Sequence, residues 1–345
     1  MVRWRGGYQV TEGLPTSAGR AMLRRGGESL AFLWEKTVEE QDDGRLLRDV
    51  LRGSLGVSHR LLHSLKYEGE IALNGVLVTV RAKVHTGDRI CLRLLNQPES
   101  RVIPEELPLR VIYEDEDLLV VDKPAGMIVH PVPPEPTGTL ANAIAWYWQQ
   151  HGINLPVRMI TRLDRDTTGL VLTAKHALAQ HYYSEEAGAL RKYYLAMVHG
   201  RLELPNGMID ASIGINPENP VTRQVDPSGK PAQTAFRRLA AYSDGTLVEA
   251  ELLTGRTHQI RVHFAWIGHP LLGDRQYGGD SHLIDRQALH CRRLVLKHVR
   301  TGQEYQFESQ LPADMQAAWL TLCKGNYLNS EAMLASASGK AYNGG

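Results

Sequence analysis

The chain has 345 residues, 43% apolar and 22% charged, an ordinary globular composition with enough apolar content for a sizeable core. Its net charge of +1 excludes a uniformly basic surface, so any face that attracts polyanions must be local. The three cysteines (Cys91, Cys291, Cys323) are odd in number and far apart, which argues against a disulfide framework or cysteine zinc site and suits reduced thiols in the cytoplasm. No apolar run reaches the roughly 18 residues of a membrane span. Residues 1–28 are rich in Gly and Arg, lack sustained periodicity and read as a disordered basic segment. "SLAFLWEKTV" follows as a first strand. Asp43 is placed to cap a helix in which Leu46, Leu47, Val50, Leu51 and Leu55 recur at helical spacing, with Gly56 as its stop. Ser58 opens a second helix carrying Leu61, Leu62 and Leu65, and Gly69 ends it. Asn74-Gly75 between apolar runs predicts a type I′ hairpin, and Gly87-Asp88 marks a second turn. Residues 29–95, with a core at 43–95, therefore read as a small α/β domain. Arg45, Arg48, Arg52, Arg60 and Lys66 on its helices meet few acids. In a chain this close to neutral, that excess favours a phosphate-binding face over a merely solvated one.

Residues 96–108 are polar and Pro-bearing and form a linker. From Val111 the character changes. "VIYEDEDLLVVDKPAG" is strand, acidic turn, strand and Pro-Gly turn. "TLANAIAWYWQQHG" is a helix begun by Thr137 or Thr139. "GLVLTAK", "RKYYLAMVHGRL", "QTAFRRLAAY", "TLVEAELLTG" and "RRLVLKH" are strands, interrupted by the helical stretches "ALAQHYYSEEA" and "THQIRVHFAWIG". Residues 109–324 thus predict an α+β domain with a mixed, mostly antiparallel sheet. Residues 325–345 are small and polar and read as a disordered tail.

Three segments carry chemistry. "RLDRDTTGL" puts two aspartates at the end of a polar loop entering a strand. A carboxylate there is held rigidly towards a cleft. The competing reading makes Asp164 and Asp166 turn-formers paired with Arg162 and Arg165, and spacing alone leaves both open. "DTTG" is also the look of an aspartic protease loop, but that chemistry needs a second such loop, and none occurs. "GRTHQIRVHFAWIGHPLLGD" crowds Arg256, His258, Gln259, Arg261 and His263 into one short segment. On a helix His258 would share a face with Arg261, and Gln259 with His263. The histidines lie five apart, which is not the spacing of a helical metal pair, so no zinc site is expected. A guanidinium aimed at a carboxylate or phosphate fits better. In "RKYYLAMVHG", Tyr193 and Tyr194 alternate across a strand, so one faces the core or a cleft, where a tyrosine can stack on a base.

Taken in order, "DLLVVDKPAGMIVHP", "RLDRDTTGL", "KYYLAMVHG", "GKPAQT", "GRTHQIRVHFAWIGHPLLGD" and "RQALHCRRLVLKH" resemble the signature segments of the RluA/RluD-type pseudouridine synthases. Residues 43–95 resemble the S-four-type RNA-binding domain that precedes the catalytic domain in many members. The resemblance implies isomerisation of uridine to pseudouridine in structured RNA without a cofactor or metal. No P-loop or Gly-x-Gly-x-x-Gly fingerprint argues otherwise. It places the catalytic aspartate on Asp164, the active-site tyrosine on Tyr194 and the basic partner of the aspartate on Arg261. Arg261 is then expected to hold Asp164 ionised, since an opposite charge within about 4–6 Å lowers a carboxyl pKa by about 1–3 units. Asp164 would either attack the anomeric carbon or take a ribose proton. RNA contacts are expected from Arg162 and Arg165, from Arg256 and His258, and from Arg45, Arg48, Arg60 and Lys66 of the small domain. Many members have His before Arg-Leu-Asp, where this chain has Thr161. Large-subunit ribosomal RNA is the expected substrate. Transfer RNA, an RNA-binding protein with an inactive synthase domain, and a hydrolase using Asp164 or Asp166 are the alternatives. A monomer in the cytoplasm is expected.

Overall fold

The computed structural model describes residues 32–53, 57, 62–63, 65–66, 69–94, 102–153, 155–185, 188–280 and 282–323. The expected disordered head and tail, Leu55, Gly56, Ser58, Arg60, Leu61 and residues 96–101 of the linker lie outside the described residues.

A four-stranded antiparallel sheet comes first, in the order β1-β4-β2-β3. Its strands are β1 (Phe32–Thr37), β2 (Gly69–Leu73), β3 (Val76–Leu77) and β4 (Arg89–Leu94). Asn74 and Gly75 have φ of 52° and 84°, the double positive φ that a type I′ turn requires. The Asn74 amide also donates to Asp88 Oδ1 at 2.7 Å and accepts from the Arg89 backbone at 2.8 Å, which ties the two predicted turns together. Helix α1 (Leu47–Arg52) is shorter than its sequence pattern suggests. Its N-cap is Leu46, not Asp43, whose carboxylate is taken by the backbone N–H and hydroxyl of Thr86. Gly53, not Gly56, ends the helix. Residues 62–63 and 65–66 are helical, and Leu62 and Leu65 join Leu47, Leu51, Ile71 and Leu92 in one buried core.

The second sheet has ten strands, eight of them in the order β10-β13-β14-β9-β15-β8-β6-β5, with β16 paired to β15 and β7 to β8. These are β5 (Arg110–Glu114), β6 (Leu118–Lys123), β7 (Arg158–Met159), β8 (Thr168–Ala174), β9 (Leu190–His199) and β10 (Asn206–Asp210), followed by β13 (Gln233–Ala241), β14 (Gly245–Leu252), β15 (Leu289–Lys297) and β16 (Glu304–Glu308). A separate hairpin joins β11 (Ile213–Ile215) to β12 (Arg223–Val225). Among the described residues only β8 and β15 run parallel, so the architecture is α+β with a mostly antiparallel sheet, as expected. The sequence pattern gave no sign of β10, β11, β12 and β16, whose strands are short, or of the C-terminal helix.

Alternation along β9 builds two layers. Tyr194, Ala196 and Val198 face one core, while Leu195 and Met197 face the other. The first layer takes helix α2 (Leu140–Gln150) through Leu140, Ile144 and Trp148, and helix α4 (Gln259–Trp266) through Ile260 and Phe264. Thr139 caps α2 in a capping box with Asn142, which decides between the two candidate threonines. The second layer takes helix α5 (Ala313–Leu322) through Met315, Trp319 and Leu322. Helix α3 (Ala177–Glu185) serves two cores: Ala179 and Tyr183 pack into the large one, and Leu178 into the N-terminal one. Among the described residues no helix is long and apolar enough to cross a membrane.

Three strands approach closely at the centre of the sheet. Gly169, Cys291 and Tyr194 lie side by side on β8, β15 and β9. Gly169 has φ of +109°, and a Cβ on it would sit 2.2 Å from the Cys291 carbonyl oxygen. Strand β8, which follows the Asp164 loop, can approach β15 this closely only because this position has no side chain. Gly169→Ala is expected to cost about 2–3 kcal/mol, read as a shift in the midpoint of urea unfolding. An unchanged midpoint would show that the pairing tolerates a side chain there.

Candidate active site

Asp164 sits in the loop between β7 and β8, where the Thr167 N–H donates to its backbone carbonyl and closes a turn over Arg165 and Asp166. Two cations, one of them buried, hold that turn through its backbone carbonyls. Lys123, at the end of β6 and only 1% exposed, donates to the carbonyls of Pro124, Met127 and Arg165 at 2.7–2.8 Å. Burial pulls its pKa down to about 7, against the charges of Asp166 and Asp164. Three carbonyl acceptors nonetheless call for three N–H groups, and therefore for the ammonium form. Arg286 donates to the Asp166 carbonyl at 3.0 Å while holding Asp314 of α5 through two bonds of 2.7 and 2.9 Å.

The side chain of Asp164 is 23% exposed and meets Arg261 Nη1 through Oδ2 at 3.2 Å. Arg261 projects from the first turn of α4 and is 4% exposed. Its stronger partner is Asp274, reached by Nε at 2.7 Å and Nη2 at 2.8 Å, and Nη2 also donates to Gln276 at 2.6 Å. Its guanidinium lies 4.9 Å from the Tyr277 ring centre. Burial works against the charge, but the bonds to Asp274 outweigh it and raise the pKa above the ordinary arginine value. Tyr194 lies in the same cleft at 4% exposure, and burial beside the Cys291 thiol holds its phenol pKa well above 10.0. Arg162, Leu252, Arg256 and His258 are also in its lining.

The cleft thus brings together Asp164, Tyr194, Arg261, Arg162, Arg256 and His258 from loops and strands far apart in the chain. The turn-forming alternative for the aspartates is corrected in its pairing. Arg162 reaches Thr257 Oγ1 at 3.4 Å, and Arg165 pairs with Glu135 at 2.8 Å, so neither arginine neutralises Asp164 or Asp166. His258 is corrected in its setting: it is the residue before α4, in a left-handed conformation with φ of 57°, and not on a helical face with Arg261. Gln259 and His263 do share a face, and both reach Thr234 Oγ1, at 3.0 and 2.9 Å. Thr161 is buried and accepts the Leu172 N–H, a scaffold contact. Arg45 pairs with Asp42, and Arg48 with Asp49 at 3.3 Å, so the small domain's helix is less free to attract phosphate than its arginines alone suggest. Lys66 is exposed.

Asp274, Gln276 and Tyr277 were not among the residues expected from sequence, and their signal was the Gly-punctuated "GDRQYGGD". Neither were Lys123 and Arg286. A lysine ending the apolar run "LLVVDK" was the available hint. Asp115, Asp117 and His298 form a further cluster with metal-like spacing, but its oxygens are already engaged. Asp115 accepts from Tyr113, His298 and two backbone N–H groups, and Asp117 from His176 and Arg300. The cluster ties the β5–β6 turn to α3 and to the β15–β16 turn.

Residues 117–266 match the family described as RNA pseudouridylate synthase, and residues 35–90 match the RluD ribosomal pseudouridine synthase N-terminal domain. The uncharacterised RNA pseudouridine synthase YjbO of Bacillus subtilis is 40% identical over 267 residues, covering 76% of this chain and 94% of that one. The chain belongs to the RNA pseudouridine synthase family. Ribosomal large subunit pseudouridine synthase D of Vibrio cholerae is 36% identical over 315 residues, covering 85% of this chain and 96% of its own length. Among solved structures, human RNA Pseudouridylate Synthase Domain Containing 1 superposes with a TM-score of 0.50 at 25% identity, covering 66% of this chain and 95% of that chain. The second family match falls on the four-stranded sheet and α1, so the small domain is the family's N-terminal domain and the ten-stranded sheet carries its synthase domain.

Proposed function

We propose that this chain isomerises specific uridines of large-subunit ribosomal RNA to pseudouridine in the cytoplasm, as a monomer, with Asp164 as the group that acts on the ribose. The observation that carries the reading is one carboxylate, partly open to the cleft, fixed by a buried guanidinium beside a buried tyrosine. The resemblance to the Vibrio cholerae large-subunit enzyme over most of both chains supports the choice of RNA.

The reaction breaks the N1–C1′ bond and forms C5–C1′; C5 loses a proton and N1 gains one, so no oxidant or reductant is consumed. Arg261 spends most of its charge on Asp274 and offers Asp164 a single N–H, which orients one oxygen and leaves the other free to react. Tyr194 supplies its ring to the flipped uracil, and its phenol stays protonated. Flipping costs about a few kcal/mol in folded RNA. Arg162 and Arg256 at the cleft, with Arg165 beside it and the exposed Lys66 of the small domain, hold phosphates.

Large-subunit ribosomal RNA transcribed in vitro, and so free of pseudouridine, tests the reading. After incubation, carbodiimide modification and primer extension are expected to reveal stops at a few discrete uridines. Modification confined to transfer RNA transcripts would overturn the substrate, and no modification of either would overturn the reaction.

A further inference from the structure

His258 has a role that phosphate contact does not explain. It is one of two non-glycine residues with positive φ among those described, and the other, Asn74, sits in a hairpin turn that calls for it. A histidine held left-handed at a cleft is backbone strain that the surroundings must maintain. Its side chain is fixed by Tyr277. The ring nitrogen Nδ1 of His258 lies 2.7 Å from the Tyr277 hydroxyl, with the rings edge to face at 5.7 Å.

That contact assigns the tautomer. The Tyr277 oxygen already accepts the Arg223 N–H at 2.9 Å. Burial raises the phenol pKa, so its proton stays on, and among the described residues the acceptor within reach of it is His258 Nδ1. Nδ1 is therefore the bare nitrogen and Nε2 carries the hydrogen. Burial also lowers the pKa of His258, against the pull of Asp164, so the ring is neutral near pH 7. Nε2–H faces the cleft 3.9 Å from Asp164 Oδ1, too far for a hydrogen bond. Among the described residues no protein acceptor lies within hydrogen-bond distance of that N–H, which leaves it to a substrate oxygen on the cleft side.

The reaction needs such a donor. When N1–C1′ breaks, the electron pair goes to uracil and spreads over N1, O2 and O4. Arg261 is held away from it, because four of its five N–H groups are engaged by protein oxygens. A neutral imidazole N–H stabilises a developing oxyanion without giving up its proton. Resting on the synthase reading above, we propose that His258 is a catalytic hydrogen-bond donor whose Nε2–H, fixed by Tyr277, holds a carbonyl oxygen of the detached uracil while the base turns.

Two variants separate the donor from the backbone. Asn tolerates the left-handed conformation but cannot reach with an Nε2-like N–H, whereas Gln places an amide N–H near that point. His258→Asn is expected to slow single-turnover isomerisation by about 100-fold with RNA affinity changed less than about threefold, and His258→Gln to recover about tenfold. In protein with ¹⁵N-labelled histidine, the His258 signal, identified by its loss in either variant, is expected to report the neutral Nε2–H tautomer, and Tyr277→Phe to mix the tautomers. An Nδ1–H tautomer overturns the proposal whatever the activity. A His258→Asn rate within about threefold of the parent, or a loss confined to RNA affinity, overturns it while the synthase reading stands. A parent chain that isomerises no uridine overturns that reading and this role together.

Discussion

Asp164→Asn is expected to lower the single-turnover rate of uridine isomerisation by about 10⁴-fold or more, the scale for removing the group that forms the reacting bond. The amide keeps the shape of the carboxylate and still offers Arg261 Nη1 an oxygen at the 3.2 Å position, so folding and RNA binding should persist. What disappears is the anionic oxygen that faces the cleft. Asp166→Asn supplies the contrast. Arg286 holds Asp166 through its backbone carbonyl, which the substitution leaves in place, so the rate should stay within about tenfold. Reversed outcomes, an active Asp164→Asn and a dead Asp166→Asn, would move the chemistry to the other carboxylate.

Asp274→Ala is expected to cost about 3–5 kcal/mol of stability. Asp274 is 1% exposed and takes two of the four hydrogen bonds that Arg261 makes. Without it a buried guanidinium keeps only Asp164 and Gln276, and the desolvation of its charge is no longer offset. The melting temperature should fall by roughly 10 °C for a domain of this size. The rate should fall as well, because Arg261 would turn its full charge on Asp164 and tie up the oxygen meant to react. A melting temperature within about 2 °C of the parent would show that water enters and solvates Arg261, and that Asp274 is dispensable to the fold.

Much of the chain is legible from residue order alone. Alternation in "RKYYLAMVHG" separates Tyr193 from Tyr194, and the structure places Arg293 4.2 Å from the ring centre of Tyr193 while Tyr194 lies in the cleft. Asn74-Gly75 reads as a hairpin because few other pairs accept two positive φ values. Helix ends are less legible. Asp43 looks like a cap from its neighbours in sequence, but Thr86 lies beside it in space and takes its carboxylate. Strand β16 forms on β15, and the short strands β11 and β12 form on each other, all with little pattern of their own.

By itself the sequence determined the class of fold, the small domain ahead of the sheet, and the residue types the reaction needs, because periodicity and turn chemistry are local properties of the chain. Only the tertiary structure decided which charges meet. Arg261 lies 97 residues from Asp164 and 13 from Asp274, and it divides its hydrogens between them by the geometry of α4 against the loop that precedes β8. Lys123 and Arg286 reach the backbone of the loop that carries Asp164, and Tyr277 sets the proton on His258, from positions that no spacing rule connects. Hydrogen-bond partners are settled by distance and direction in space, and linear separation holds no record of either.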